Sequence, residues 1–514
     1  MWQKETLNDL SARRAKARVG GGEERAAKQH AQGKLCARER LALLFDPDTF
    51  TEVDALVSAR STDFGMEKKR VPGDGVVVGY GKVGGRLVFA ASQDFTVIGG
   101  SLGEYHAKKI CHVMDMAVEM RAPFVSINDS GGARIEEGID SLSGYADIFY
   151  RNTRASGVIP QIAVILGPCA GGACYSPAIC DFIFMTEGKG QMYITGPAVI
   201  KAVTGEEVTV EELGGAQMHN CVSGVAQFSY PDDAACLAGV RTLLSYLPQS
   251  AGAPLPRYIA SREERSRDLQ ELIPDNPKKA YDMLEVIAKF ADTDSFFEVQ
   301  SGFAKNLIVG FFRMDGEVFA LVANQPKVMG GSLDFNAADK AARFIRFCDA
   351  FGIPILTLVD VPAFLPGKNQ EASGIIRHGA KMLYAYSEAT VPRVTLILRK
   401  AYGGAYIAMN SKGIGADMVF AYPIAEIAVM GAEGAANIVF RREIEASPDR
   451  DAARAEKIRE YSDKFMNPYV AAQRGFVDEV ISPEETRSKI SRAFSMLKTK
   501  QKDGPRRKHG IIPL

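Results

Sequence analysis

None of the eight cysteines stands in a C-x-x-C pair, which removes the usual zinc-ribbon and thioredoxin-type signatures. The tightest group, Cys169, Cys174 and Cys180, has Gly, Pro and aliphatic neighbours and reads as buried thiols, so no metal is expected in this chain. The six histidines, at 30, 106, 112, 219, 378 and 509, are scattered singly and form no recognisable triad. There is no G-x-x-x-x-G-K-[ST] and no H-E-x-x-H, so a P-loop and a zincin are excluded. Net charge is also missing: 62 basic residues balance 62 acidic ones, which offers no reason to expect nucleic acid as a partner. No apolar run approaches the roughly 20 residues of a membrane span, and Met1 to Arg25 is charged rather than signal-like. A cytoplasmic location is expected. The basic segment Lys498 to His509 reads as a solvated tail.

Glycine, by contrast, is abundant, with 49 residues placed at turns and in pairs. Those pairs expose an internal repeat. Phe50-Thr-Glu-Val53 recurs as Phe296-Phe-Glu-Val299, Gly99-Gly-Ser-Leu102 as Gly330-Gly-Ser-Leu333, and the strand-like Pro123–Asp129 as Pro354–Asp360. Gly171-Gly172 recurs as Gly403-Gly404. From Gly99 to Gly171 is 72 residues, and from Gly330 to Gly403 is 73. A chain of 514 residues is too long for one ordinary core. Two homologous α/β domains are therefore expected, 1–255 and 256–514, with the boundary in the Pro-rich stretch 251–277. In the first half, 87–91, 124–128 and 162–167 read as strands, and 104–121 and 145–157 as helices. The charged, glycine-containing stretch 58–75 reads as a loop. Helices are also expected around Arg38–Leu41 and Met283–Phe290.

With no side-chain triad, the chemistry falls to the backbone. Gly167–Ala173 and Arg399–Ala405 each run from a strand through a glycine pair toward a helix, the first one starting near Ala173. Glycine lets N–H groups approach a ligand oxygen with no Cβ in the way, and the start of a helix favours negative charge. Two such turns suit a reaction with two developing oxyanions. Asp129-Ser-Gly-Gly-Ala-Arg134 could add a third N–H to the first hole. Its counterpart Asp360-Val-Pro-Ala-Phe364 has no glycine pair, so the halves are expected to hold different ligands.

These segments resemble the carboxyltransferase subunits of biotin-dependent acyl-CoA carboxylases, decarboxylases and transcarboxylases. The likeness runs over nearly the whole chain. It includes Gly33–Leu41, Asp94-Phe-Thr96, Asp129–Ile135, Ala401-Tyr-Gly-Gly-Ala-Tyr406, Ile427–Ala432 and Lys508–Leu514. The resemblance implies two tandem crotonase-like domains of stacked ββα turns. The first would bind acyl-CoA through Gly132, Ala133, Tyr145, Gly171 and Gly172, and the second biotin through Gly403, Gly404 and Ala405. Catalysis would rest on the N–H groups of Ala133, Gly171, Gly172, Gly404 and Ala405. No Met-Lys-Met occurs, so biotin is expected on a biotin carboxyl carrier partner, beside a biotin carboxylase or membrane decarboxylase subunits. The resemblance also implies a homo-oligomer, a hexamer, with propionyl-CoA/methylmalonyl-CoA as the substrate pair.

Propionyl-specific members usually carry Asp where Ile407 stands. An aliphatic residue in that substrate pocket is similar to the decarboxylase and transcarboxylase branch, or to acetyl-CoA-tolerant carboxylases. The CoA phosphates are placed near Lys34 and Arg38. A crotonase-type hydratase or isomerase, and a scaffold docking biotinylated partners, are the alternatives.

Overall fold

In the computed structural model, which describes residues 3–260, 268–502, 504 and 507–514, strand formation begins with two tight hairpins. Val76–Val83 pairs antiparallel with Arg86–Gln93 across Gly84-Gly85, and Leu307–Met314 with Glu317–Asn324 across Asp315-Gly316. All four turn residues have positive φ, the backbone that two-residue hairpins require and that Gly and Asp tolerate.

The chain divides into two compact units, Met1–Pro254 and Leu255–Leu514. Each contains an eight-stranded sheet. In the first unit the order along the sheet is Thr51–Val53, Val76–Val83, Arg86–Gln93, Phe124–Ser130, Gln161–Ala170, Phe182–Thr186 and Phe228–Tyr230. The first three strands are antiparallel and the rest parallel. Parallel strands need helical crossovers, which cover both faces, so the strand Gln161–Ala170 is apolar without alternation and buried throughout its first seven residues. The second unit repeats this with Phe297–Val299, Leu307–Met314, Glu317–Asn324, Ile355–Val361, Arg393–Tyr402, Met418–Ala421 and Glu479–Val480. The crossover helices Glu104–Glu119 and Ile139–Ala155 pack together in the first unit, as do Phe335–Ala350 and Ile375–Glu388 in the second.

One irregularity, present in both units, positions the glycine pairs. Asn128 is level with Ile165, yet Ser130 is level with Cys169, so the longer strand arches over Leu166–Pro168. Beyond the arch it leaves Phe182–Thr186 and pairs instead with Gln191–Tyr193. In the second unit Val359 meets Ile397 while Val361 meets Ala401, and the strand end turns to Glu426–Ala428. Such bulges bend a strand and re-aim the residues beyond them; here they carry Gly171-Gly172 and Gly403-Gly404 off the sheet edge.

The predicted strands fall inside observed ones. The helix expected at 145–157 starts earlier, at Ile139, because Gly138 (φ 53°) ends the preceding turn. Gly171–Cys174 is a 3-10 turn that leads into Tyr175–Ile179, so the helical path begins at the glycine pair rather than near Ala173. The stretch 58–75 is not wholly a loop: Asp63–Lys69 forms 3-10 turns. The C-terminal basic segment is also held down where it is described. Lys498 pairs with Glu317 at 2.7 Å, Lys500 with Asp417 at 2.7 Å, and Arg507 with Glu388. Residues 503 and 505–506 of that segment lie outside the described residues.

Candidate functional site

Asp129 anchors the first glycine turn. Its side chain is fully buried and accepts hydrogen bonds from Gln29 Nε2 (2.8 Å), Lys34 Nζ (2.8 Å) and Arg40 (2.9 Å). Arg40, also fully buried, donates further to Asp233 (2.8 Å) and to the arch carbonyl Leu166 O (3.0 Å). Two cations thus face two carboxylates, the balance a buried charge cluster needs. Burial pulls the Lys34 ammonium below its ordinary pKa, and Asp129 opposes the shift. Of the two residues near which the CoA phosphates are expected, Lys34 is buried against Asp129 and Arg38 pairs with Glu52 at 2.7 Å.

After Asp129 the backbone is pinned residue by residue. Gly131 N–H donates to Gly99 O (3.0 Å), Gly132 N–H to Ser130 Oγ (3.1 Å), and Arg134 N–H to Leu102 O (2.9 Å). Ala133 lies between these bonds, and its N–H takes part in none of them. Gly132 has φ +104°, and a Cβ there would come 3.1 Å from Ala170 O, so this loop abuts the second one. Gly171 (φ +62°) then opens its 3-10 turn, whose first N–H groups have no partner within the turn. The Tyr145 ring lies 3.3 Å from where a Gly172 Cβ would be. The structure therefore brings Gly132, Ala133, Gly171, Gly172 and Tyr145 together, and burial drives the Tyr145 phenol far above its usual range. Cys174 Sγ–H donates to Cys169 O at 2.6 Å, fastening the turn to the arched strand. Cys169, Cys174 and Cys180 are all buried.

In the second unit the equivalent carboxylate, Asp360, is equally buried and pairs with Arg399 at 3.0 Å and Lys400 at 3.7 Å. Arg399 also donates to the carbonyls of Pro274, Asn276 and Lys279 at 3.2, 3.0 and 2.9 Å. Gly403 takes φ +58°, where a Cβ would lie 2.9 Å from Val429 O, whereas a Cβ on Gly404 would meet nothing within 4 Å. Gly403, Gly404 and Ala405 head the helix Gly403–Ala408. Ile407, on the same helix, is 46% exposed. Tyr402 donates to Glu426; burial and then that carboxylate raise the phenol's pKa. Where the first unit bridges Leu102 to Ala133, the second bridges Leu333 to Phe364. The Phe364 ring would lie 3.2 Å from a Cβ on Gly379. This loop, which has no glycine pair, thus sets an aromatic ring against the helix Ile375–Glu388.

The sequence reading missed a cavity of about 830 Å³ lined by Arg25, Lys28, Lys68, Lys69 and the segment Phe95–Gly99. It ends at Gly99, whose carbonyl holds Gly131. Part of its charge stands in the Lys68-Lys69 pair, but nothing local links that pair to Arg25 and Lys28.

Two glycine-led backbone turns thus stand at matched places on two repeated α/β units. The carboxyl transferase domain matches residues 28–512, and the chain belongs to that family. It is 57% identical over 510 residues to the methylmalonyl-CoA decarboxylase subunit alpha of Propionigenium modestum, covering 99% of each chain. It is 56% identical over 513 residues to the propionyl-CoA carboxylase beta chain of Cereibacter sphaeroides, covering 99% of this chain and 100% of that one. The fold superposes with a TM-score of 0.98 on the transcarboxylase 12S crystal structure, described as a hexamer assembly with methylmalonyl-coenzyme A bound. That match has 54% identity and covers 100% of this chain and 99% of that one. Both units thus carry the crotonase-like fold, and the protein is a carboxyltransferase. Among the described residues, no helix is long and apolar enough to cross a membrane.

Proposed function

We propose that this chain moves a carboxyl group between biotin on a partner's carrier domain and a short-chain acyl-CoA, with propionyl-CoA and methylmalonyl-CoA as the pair. The observation that carries this reading is the Ala133 N–H, left out of the bonds that pin its neighbours and set beside the Gly171-Gly172 turn, one glycine loop away from a basic cavity. Arg25, Lys28, Lys68 and Lys69 offer charge to the CoA phosphates, Lys28 and Lys69 by releasing the solvent-accessible partners Glu24 and Glu136 that they hold at 2.7 and 3.4 Å. The thioester carbonyl reaches the N–H groups of Ala133, Gly171 and Gly172. Loss of the α-proton places negative charge on that oxygen, and the pinned amides stabilise it without reorganising. One such donor is worth roughly 2.7–4 kcal/mol in the transition state.

The second turn fits a ureido oxygen, because the open space at Gly404 lets a ligand approach the backbone N–H of Gly404 and Ala405. When bound, biotin supplies the transferable carboxyl group, and its ring nitrogen can take the α-proton, so no protein base is needed. A hydratase would need a free glutamate at the first hole. Glu137 is instead bound to Arg134 at 2.7 Å and accepts from the Glu104 N–H at 2.7 Å. The biotin-bearing carrier is a separate subunit, and the chain forms the homo-oligomeric, hexameric core of that assembly.

Incubating the full chain with methylmalonyl-CoA, with and without free biotin, should give biotin-dependent propionyl-CoA by mass spectrometry. No product from folded protein, even with a biotinyl carrier domain, would remove the assignment.

A further inference from the structure

The turn between the helices Glu23–Ala31 and Ala37–Leu44 gathers three different metal-ligating side chains. His30, Cys36 and Glu39 each present a ligand atom, and the three atoms lie within 4.8 Å of one another. His30 Nε2 is 2.9 and 3.1 Å from the two Glu39 oxygens and 3.8 Å from Cys36 Sγ. Around a tetrahedral zinc-class ion, with bonds of about 2.0 Å to nitrogen and oxygen and about 2.3 Å to sulfur, such atoms sit roughly 3.3–3.5 Å apart. The His–Glu and His–Cys separations bracket that spacing, and the Cys–Glu separation is at most 4.8 Å. The His30 and Glu39 side chains are 47% and 46% exposed, so both are free to adjust around an ion.

Local structure alone accounts poorly for the sulfur. Cys36 is the N-cap of Ala37–Leu44, in a capping box closed by Glu39, which accepts from the Cys36 N–H at 2.7 Å. N-caps favour Ser, Thr, Asp and Asn, whose oxygens accept hydrogen bonds well; a thiol sulfur accepts weakly. A cysteine here is a poor cap but a good soft-metal ligand.

We propose that His30, Cys36 and Glu39 bind one thiophilic divalent cation of the zinc class, with water completing the coordination. On binding, Cys36 gives up its thiol proton to solvent, forms the metal–sulfur bond, and no electron is transferred. The ion ties the end of one helix to the start of the next. It closes the turn that carries Lys34 to Asp129 and follows the helix whose Lys28 and Gln29 line the basic cavity. The site departs from the expectation of no metal, which rested on the absence of a C-x-x-C pair and on the apolar neighbours of Cys169, Cys174 and Cys180: its ligands come one from each of three residue types.

Cobalt(II) is the probe, added to chelator-treated full-length protein in a Cys221→Ser background, which removes the exposed thiol. One equivalent per chain should give the visible bands of tetrahedral cobalt and a thiolate-to-metal charge-transfer band. Both should vanish in Cys36→Ser, which keeps a good N-cap and so should fold, and in His30→Ala. No charge-transfer band in the parent protein, or the same spectrum in Cys36→Ser, would overturn the proposal and leave a helix cap beside an ion pair. The readout does not depend on carboxyl transfer, so it stands apart from the proposed activity.

Discussion

At Asp129 and Asp360, equivalent residues of the two units, the same buried carboxylate is neutralised in two ways. The first unit places Gly167 where the second has Arg399, four residues before each glycine pair. A Cβ on Gly167 would strike Asp129 Oδ1 at 2.0 Å and Lys34 Nζ at 2.7 Å, so the missing side chain is the room those partners occupy. Removing the carboxylate strands buried cations, which costs roughly 3–5 kcal/mol. Asp129→Ala should therefore lower urea-unfolding stability by that order, whereas Glu24→Ala, on an exposed pair, should change it little. Gly403 and Gly404 separate folding from function. Gly403→Ala forces a left-handed alanine against Val429 O and should cost roughly 1–2 kcal/mol. Gly404→Ala should leave the unfolding midpoint unchanged, since its Cβ meets nothing. Gly404→Pro keeps a residue tolerated in a first helical turn but removes the N–H. It should lower kcat about 10²–10³-fold; full turnover in the folded variant would refute that hole.

Among the elements, the decisive feature is the arch in the long strand of each unit. It was not legible as a bulge. Gly167-Pro168 shows as a glycine–proline break, but Arg399-Lys400 shows nothing, and only pairing with two successive neighbours reveals the bend. The glycine pairs themselves were legible, because positive φ at Gly171 and Gly403 leaves a mark on residue choice. The basic cavity was not, since its Lys and Arg come from a helix and a 3-10 turn far apart in sequence. Charge reversal there, Lys28→Glu or Lys69→Glu, should raise the KM for acyl-CoA while kcat holds, because the phosphates lie away from the reacting atoms. Acyl-pantetheine, which lacks the nucleotide phosphates, should be insensitive to either change. Equal effects on both substrates would argue against phosphate binding in this cavity.

For the whole molecule, the two units leave apolar side chains in water at corresponding places. Val199 and Val203 on Pro197–Thr204 are 51% and 78% exposed, and Ile438 and Val439 on Ala432–Val439 are 67% and 62% exposed. Apolar helix faces of this kind mark protein–protein contacts. Sedimentation should therefore give a particle several times the mass of one chain, and Val203→Glu or Ile438→Glu should yield smaller species. Unchanged mass in both would place the interface elsewhere.

The duplication, the α/β pattern, the strand segments and the two glycine turns can be read directly from the order of residues. Each of these depends on local backbone preference or on short-range periodicity, which act through neighbouring residues. Only the folded chain shows where Lys34 and Arg40 place their charge and that Phe364, standing where the first unit has Ala133, packs against Gly379. It also shows which lysines face a common cavity. The pairing of Lys34 and Arg40 depends on which distant groups share a buried volume, and burial makes an unpaired charge too costly to leave without its partner.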